Sequence, residues 1–313
     1  MCIKVAVVSI CLALLVVASA CPRGVIKTDL EEDRLRGRVR SCKVEKGGFV
    51  QQSGKWVEGT KTPTAERTYN RHGNLVEWVL YASDGSVSGR HICFYDQKGN
   101  KSEEVVYAAD GSLKGRQIFS YNDREYLSER GYYTVQGTLS WKMAFAYDAV
   151  GNLTEEAGYT AKGALSGRSV YAYDEKGRKT KWTQYARDGS VTGSWTYAYD
   201  DGGRIVEQTT YASGAWWYAK WLYRYDREGK LAQEERTTAD GLGSFVHVYA
   251  YDHTGNMGKV STYGSDGALS GRTVFVYDQV GNWIKKTTEN IVSHFGKSSL
   301  EPVEEVIRTI KYY

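Results

Sequence analysis

The stretch that decides the fold is YDQKGNKSEEVVYAADGSLKGRQIFS, residues 95–120. It opens with Tyr-Asp, carries a glycine four residues later and has Asp-Gly near its middle. The next copy begins at Tyr121, and such tyrosines recur every 26 residues from Tyr69 to Tyr277 without an insertion. A fixed period of this length is the sequence signature of a tandem repeat. The chain is therefore predicted to be built from one repeated unit.

Each copy reads as two antiparallel strands. Asp-Gly between two β-rich runs, as at Asp110-Gly111, predicts a two-residue type I′ hairpin turn. Asp-x-x-Gly, as at 96–99, predicts a four-residue loop whose glycine adopts a left-handed conformation. Eight full copies give 16 strands. Segments near 35–45 and 65–69 are expected to start the sheet, 282–288 and 306–313 to close it, and 289–302 to form a polar loop.

The register of the predicted hairpins decides the shape. If the Asp-Gly turn has two residues and the Tyr-Asp loop has four, both hairpins align the same positions, and the ladder runs straight across the sheet. A closed barrel needs a stagger between strands. The expected fold is therefore all-β: an open, elongated, twisted antiparallel sheet of tandem hairpins. Some 20 strands would span on the order of 95 Å at about 4.8 Å per strand.

The alternation of side chains places charged residues of opposite sign on one face. Glutamates that lie 8 residues after the repeat tyrosine are expected to be diagonal to basic residues that lie 21 residues after it. This arrangement predicts a surface ionic lattice. The predicted pairs are Glu77 with Arg90, Glu103 with Arg116, Glu129 with Lys142, Glu155 with Arg168, and Glu207 with Lys220. The tyrosines present in every copy are interpreted as packing between neighbouring repeats, with sugar stacking as the alternative.

The Tyr-Asp-x-x-Gly element resembles the YD repeats of RHS-type proteins, most clearly at Tyr95–Asn100 and Tyr173–Arg178. The segment Asp110–Arg116 also resembles MORN-type repeats. The resemblance covers roughly 66–283 and extends to short exported YD-repeat lipoproteins of bacteria. It implies β-hairpin repeats and no particular activity.

The N-terminus resembles a bacterial lipoprotein signal. An apolar run from Val5 to Ala18 is too short for a membrane-spanning helix and ends in small residues before Cys21. We expect cleavage before Cys21 and lipidation of its thiol, which would anchor the protein in the cell envelope. By analogy, Pro22 after the cysteine favours the outer membrane or the cell surface. The alternative is an ordinary secretory signal that leaves Cys21 free.

The predicted organisation follows from these features. It comprises a signal peptide at 1–20, a tether at 21–34, capping strands at 35–68, the tandem repeats at 69–288, and a C-terminal loop with a closing strand at 289–313. After cleavage, Cys42 and Cys93 are the cysteines that remain besides Cys21. Export permits a disulfide between them, but nothing in the sequence shows that they are close.

The composition argues against several classes of function. The net charge of the whole chain is +4, too small for a nucleic-acid-binding surface. The histidines lack zinc-site spacing, and no nucleophile, phosphate or dinucleotide motif is present. We therefore expect neither an enzyme nor a bound metal or cofactor, although paired carboxylates of a carbohydrate-active enzyme would leave no sequence signal.

One departure from the repeat suggests a binding site. The register places Trp182 opposite Trp195, followed by Gln208 and then Trp221, in a column that elsewhere holds polar residues. Trp217 lies near this strip. The alternatives are local packing and a flat, exposed aromatic platform for a glycan or a protein.

Two functions stay open at this stage. The first is a lipid-anchored, non-enzymatic binding or adhesion module for a glycan or protein, with the tryptophan strip as its contact. The second is a structural envelope scaffold or shielding shell without a specific ligand.

Overall fold

The computed structural model describes residues 28–211 and 218–313, with only the backbone of Tyr218. These residues form an all-β antiparallel fold with one helical turn, α1 (Asp29–Glu32). The strands are β1 (Val39–Gln52), β2 (Lys55–Tyr69), β3 (Leu75–Tyr81), β4 (Val87–Tyr95), β5 (Lys101–Ala108), β6 (Leu113–Tyr121), β7 (Leu127–Thr134), β8 (Leu139–Tyr147), β9 (Leu153–Thr160), β10 (Leu165–Tyr173), β11 (Lys179–Ala186), β12 (Val191–Tyr199), β13 (Ile205–Tyr211), β14 (Tyr218–Tyr225), β15 (Leu231–Thr238), β16 (Phe245–Tyr251), β17 (Met257–Gly264), β18 (Leu269–Tyr277), β19 (Trp283–His294) and β20 (Lys297–Tyr312). The 16 strands predicted for the repeats are β3 to β18.

The sheet closes into a barrel, so the predicted open, elongated sheet is wrong. Each strand pairs with the next one along the chain, and β20 pairs with β1 over Val39–Gly47. Strand β1 therefore has β2 on one side and β20 on the other. The first and last strands of the described residues are neighbours, and the ring has no free edge between them.

The closure follows from a stagger that the sequence argument missed. A straight ladder would place Trp78, His91 and Glu104 in one column; Trp78 does face His91, but His91 then faces Val106. Trp78 lies 9 residues after its repeat tyrosine and Val106 lies 11 residues after the next one. Each hairpin therefore shifts the ladder by two residues. Ten hairpins accumulate a shear of about 20 residues, and a non-zero shear is what a closed barrel requires.

The stagger originates at the turns. Asp96 pairs with Asn100 through its backbone N–H, so three residues rather than four lie in the loop. A bulge between Phe94 and Tyr95, in the pairing of β4 with β5, adds the second one-residue shift. The Asp-Gly turns also differ from the prediction: Gly85 has a positive φ of 85° but Asp84 does not, which excludes a type I′ turn. In these hairpins a three-residue loop and a bulge offset each other, which preserves the predicted pairing.

The two faces of the wall differ in exposure. In β4, Gly89 and Cys93 are buried whereas Arg90 and Phe94 are exposed. Side chains converge on the concave side of a curved sheet and diverge on the convex side. We therefore assign the face that carries Cys93 as the inner face of the barrel. The equivalent positions of later copies, such as Tyr171, lie on the same face.

The predicted surface ionic lattice is confirmed, and it lies on the outer face. All five glutamates contact their predicted basic partners, for example Glu129 with Lys142 at 2.7 Å and Glu155 with Arg168 at 3.0 Å. These side chains are partly exposed. Each pair therefore contributes little to stability.

The repeat tyrosines join neighbouring copies. The hydroxyl of Tyr173 donates to the backbone carbonyl of Leu153 at 2.8 Å. Eight successive tyrosines make this bond to the carbonyl 20 residues earlier: Tyr95, Tyr121, Tyr147, Tyr173, Tyr199, Tyr225, Tyr251 and Tyr277. Burial raises the pKa of Tyr121 and of Tyr173 to about 12. A contact repeated by eight successive tyrosines supports the packing interpretation of these residues.

We expect Tyr173→Phe to lower the free energy of unfolding by about 1 kcal/mol, because it removes one hydrogen bond and keeps the ring. Urea denaturation measures the change. The matched control is Tyr185→Phe, whose ring lies under Arg168 at 4.9 Å and is retained in the variant. Equal stability of Tyr173→Phe and wild type would refute the structural role of the hydroxyl.

Residues 28–38 pack against the inner face; they comprise the described part of the predicted tether at 21–34 and the start of the predicted capping strands at 35–68. Thr28 caps α1 through a capping box with Glu31. Asp29 accepts from the hydroxyl of Tyr95 at 2.7 Å, and the backbone N–H of Arg36 donates to Asn282 at 2.7 Å. This segment therefore begins at the turn before β3, runs across β2, β1 and β20, and ends at the turn before β19. We call it the strap.

The hydrophobic core lies under the strap. Its buried members are Leu30, Leu35, Val39, Cys42 and Tyr69. Most side chains of the repeats are only half-buried, as expected for a wall one sheet thick around a barrel too wide for its side chains to fill.

The predicted polar loop at 289–302 is also wrong. These residues extend β19 and β20 into one long hairpin with its turn at Phe295 and Gly296. Polar composition did not prevent strand formation here, because each backbone finds a partner across the hairpin.

The predicted signal peptide at 1–20 and Cys21 lie outside the described residues. Within the described residues, no helix is long and apolar enough to cross a membrane.

Candidate functional site

The predicted pairing of two tryptophans is present on the inner face. Trp182 on β11 and Trp195 on β12 are partners in the ladder, and their rings stack with centroids 4.1 Å apart at 19°. Tyr171 on β10 extends the stack, 6.0 Å from Trp182. We call these three residues the tryptophan stack.

The stack is not the exposed flat platform that was predicted. Its rings lie face to face with one another, and both tryptophans are half-buried. The ring of Trp195 also covers Gly193, where an added Cβ would lie 2.7 Å from the ring. The indole faces are thus largely used within the wall, so packing explains much of this feature.

Trp221 does not continue the strip. Because of the stagger, Trp195 faces Thr210, while Gln208 faces Tyr197 on one side and Trp221 on the other. Trp221 instead lies under the guanidinium of Arg236, 5.4 Å from its ring centroid. Trp217 lies outside the described residues.

We expect Trp195→Ala to destabilise the protein by about 2 kcal/mol, less than the 3–5 kcal/mol typical of fully buried aromatics, because the ring is half-buried. Trp56→Ala, at a hairpin tip where the side chain is 39% exposed, should change stability by no more than about 0.5 kcal/mol. Thermal and urea unfolding of both variants measure the difference. Equal effects would show that the stack does not contribute to packing.

A cavity of about 570 Å³ lies beside the stack, along β8 to β12. Gly158 and Gly167 face each other in the ladder, so the floor of the cavity carries no side chains at these two positions. An added Cβ at Gly167 would lie 2.9 Å from the carbonyl oxygen of Tyr185, so no side chain fits there. We call this space the wall cavity; its lining combines Trp141, Glu156 and Gln184 of the inner face with residues of the outer face: Lys142, Tyr159, Arg168 and Tyr185.

The wall cavity combines an aromatic ring with hydrogen-bonding groups. Trp141 stacks on Tyr132 with centroids 6.0 Å apart, which holds the indole in place. The Glu156 carboxylate accepts from the hydroxyl of Tyr171 at 3.0 Å, which links the cavity to the tryptophan stack. Gln184 lies two residues from Trp182 on the same face and supplies an amide. An aromatic surface with a few polar groups is typical of small-ligand sites.

The polar residues that this column holds in other copies suggest a solvated column, but its glutamates are half-buried. Glu104 is half-buried and contacts Nδ1 of His91 at 2.6 Å, and this bond holds the pKa of its carboxyl below the usual range. Burial raises the pKa of Glu234, which accepts from Tyr249 at 2.7 Å. These glutamates are partly buried because they lie on the concave face of a closed barrel. The predicted register excluded a closed barrel.

Among the described residues there is no group of three potential metal ligands. The aspartates of the Tyr-Asp turns accept from backbone N–H groups of their own loops, as Asp96 does from Lys98 and Asn100. These aspartates therefore cap their own turns. Cys42 and Cys93 are both free and buried.

Comparisons with known proteins identify no function. A family described only as an uncharacterised protein matches residues 94–215, and no curated protein matches the chain. Similar solved structures include the TcdB2-TccC3-Cdc42 complex (10% identity, TM-score 0.36, 86% of this chain) and the Photorhabdus luminescens Tc holotoxin pore (13%, 0.40, 82%). The chain spans only 20% and 15% of those two chains.

A porin-like protein from Bacteroides uniformis is also similar, with 10% identity, a TM-score of 0.37, and coverage of 87% of this chain and 98% of that one. These scores carry no conclusion about function. The described residues define the class by themselves: an antiparallel barrel of β-hairpin repeats.

Proposed function

We propose that this protein is a lipid-anchored, non-enzymatic binding module of the bacterial cell envelope, of the YD-repeat type, and that it binds a glycan on the inner wall of its barrel. The observation that carries the proposal is the wall cavity beside the tryptophan stack. Sugar rings pack their apolar C–H faces on aromatic side chains while their hydroxyls bond to carboxylates and amides, and Trp141, Glu156 and Gln184 offer these groups together.

The half-buried rings restrict how a glycan would bind. Because Trp182 and Trp195 stack on each other, they are a rigid border of the site rather than a platform. Trp141 is the tryptophan that lines the cavity beside the glycine floor, and its ring also contacts Tyr132 and the guanidinium of Arg130 at 5.6 Å. This shifts the expected contact from the predicted strip Trp182, Trp195, Trp221 and Trp217 to the neighbouring strands β8 to β11.

The experiment is calorimetric titration of the full chain with purified envelope glycans, comparing wild type with Gln184→Ala. Loss of the amide contact should weaken binding about tenfold without changing the melting temperature. Gln117→Ala is the matched control, since this amide lies on the same face and bonds to Glu104 instead. Binding unaffected by Gln184→Ala, or no binding by wild type, would contradict the proposal.

The lipid anchor is tested separately. Metabolic labelling with a fatty-acid analogue should mark wild type and not Cys21→Ser, because the cysteine thiol accepts the lipid. Equal labelling of the two would remove the anchor from the proposal.

A structural shell is the second candidate, and the closed ring favours it. A barrel with paired first and last strands encloses space without needing a ligand. If wild type binds no envelope glycan but loss of the protein changes envelope integrity, the shell is the better account.

A further inference from the structure

A second cluster of polar and aromatic side chains lies on the inner wall at β14 to β16. Its centre is Glu234, which faces Tyr223 on β14 and His247 on β16 in the ladder. The hydroxyl of Tyr249 donates to the Glu234 carboxylate at 2.7 Å. The carboxylate is thus held between two tyrosines. We call Tyr223, Glu234 and Tyr249 the Glu234 subsite.

The hydroxyl of Tyr223 is buried and has no hydrogen-bond partner among the described residues. The residue is only 5% exposed, so bulk water does not satisfy it. An unpaired buried polar group costs about 1–3 kcal/mol. A ligand atom that accepts a hydrogen bond here would remove this cost.

The charge of Glu234 is also unbalanced. None of the ion pairs found in the described part of the chain includes Glu234, whereas the corresponding Glu104 contacts His91 at 2.6 Å. Burial lowers the pKa of His247, so this neighbour is neutral at pH 7. Arg236 points elsewhere, because its Nη1 donates to the carbonyl of Gly243 at 2.9 Å. A desolvated carboxylate without a cation favours a cationic ligand.

Aromatic rings on both flanks reinforce this preference. Tyr223 and Tyr249 lie on either side of the carboxylate, on the strands next to β15. The electron-rich faces of aromatic rings attract ammonium groups, most strongly where water is excluded. Carboxylate and rings together therefore suit an organic ammonium group better than a bare hydroxyl.

We propose that the Glu234 subsite binds the free amine of an amino sugar, so that the glycan bound by the barrel is an amino-sugar polymer with unacetylated amines. The ammonium group donates to Glu234, and a neighbouring sugar hydroxyl accepts from Tyr223. An amine next to a hydroxyl balances the charge of Glu234 and pairs the hydroxyl of Tyr223 at once, which neither a simple alkylamine nor a neutral sugar does. This inference rests on the proposed function, since it takes the inner wall as a glycan-binding surface.

The test compares two ligands that differ only in the amine. The full chain is titrated with a chitosan hexasaccharide, which carries free amines, and with the fully acetylated chitin hexasaccharide. Wild type should bind chitosan about tenfold more tightly. Glu234→Gln, which keeps the shape of the side chain, should make the two affinities equal. Glu104→Gln, the matched control in the corresponding position, should preserve the preference.

The outcomes separate this inference from the proposed function. Equal binding of both ligands by wild type overturns the Glu234 subsite and leaves a glycan-binding wall. A chitosan preference that survives in Glu234→Gln also overturns the subsite. Binding of neither ligand contradicts both. If Glu234→Gln does not fold, Tyr249→Phe replaces it: this variant keeps the ring and the charge but removes the hydrogen bond that orients the carboxylate, so it should change the chitosan preference, and an unchanged preference overturns the subsite.

Discussion

Tyr69→Ala is expected to lower the free energy of unfolding by about 4 kcal/mol, because removal of a buried aromatic ring leaves a cavity. Tyr69 is 1% exposed and packs with Leu30, Val39 and Cys42 under the strap. Its hydroxyl donates to Asp33, and its backbone carbonyl accepts from Tyr313 at 2.6 Å. The residue therefore joins the strap, the first strands and the end of the chain.

Urea denaturation of Tyr69→Ala, Tyr69→Phe and Tyr211→Ala tests this role. The phenylalanine variant keeps the ring and should lose about 1–2 kcal/mol. Tyr211 is 54% exposed, and its replacement should change stability by no more than about 0.5 kcal/mol. A loss in Tyr69→Ala as small as that in Tyr211→Ala would show that the core under the strap does not stabilise the barrel.

Glu305→Ala is the second large effect, expected at about 3 kcal/mol. The Glu305 side chain is 1% exposed and contacts Lys285 and, at 3.1 Å, Lys61. Gly47 lies between Glu305 and Lys61 in the ladder, and its missing side chain lets them meet. Removing one partner of a buried ion pair leaves charge uncompensated and costs about 3–5 kcal/mol. The low end applies because Glu58 still contacts both lysines at 2.6 Å.

Glu304→Ala is the matched control, since Glu304 pairs with Lys46 and both side chains are much more exposed. Its loss should be below about 1 kcal/mol. Similar losses in the two variants would contradict a special role for Glu305 at the seam between β1 and β20.

The same ion cluster predicts a pH dependence. Lys285 and Lys61 hold the pKa of Glu58 at about 2, against an ordinary value of 4.5. A carboxyl whose pKa is lowered by folding stabilises the folded state above its unfolded pKa. The stabilisation by Glu58 is therefore complete above about pH 4.5 and is lost as the pH falls toward 2.

The sequence contained the local structure but not the closure. The 26-residue period defines the strands of the repeats, and the diagonal of Glu155 and Arg168 follows from strand alternation alone. The pairing of Trp182 with Trp195 was predicted correctly although the turn between them was not, because a longer loop and a bulge cancel. At the Tyr-Asp turn the loop is one residue shorter than predicted, and its effect on the register adds to that of the bulge.

The site was only partly predictable for related physical reasons. A bulge is one extra residue without a composition signal of its own, so the two-residue stagger and the closed ring that follows from it were missed. The strap lacks any periodic pattern. The environment of Glu234 depends on which face is concave, and its unbalanced charge becomes visible only once the directions of Arg236 and Tyr249 are known.

Closure of the barrel is the central claim, and a cross-link between the first and last strands tests it directly. Lys43 on β1 faces Thr309 on β20 in the ladder, and facing residues have the Cα separation that a disulfide needs. The double variant Lys43→Cys, Thr309→Cys should oxidise within one chain, with the linked peptides identified by mass spectrometry. The control Lys181→Cys, Thr196→Cys joins neighbouring strands of the repeats and forms in an open or a closed sheet. A control that cross-links while the pair at 43 and 309 stays reduced would contradict the barrel, because in an open sheet these strands lie on the order of 90 Å apart.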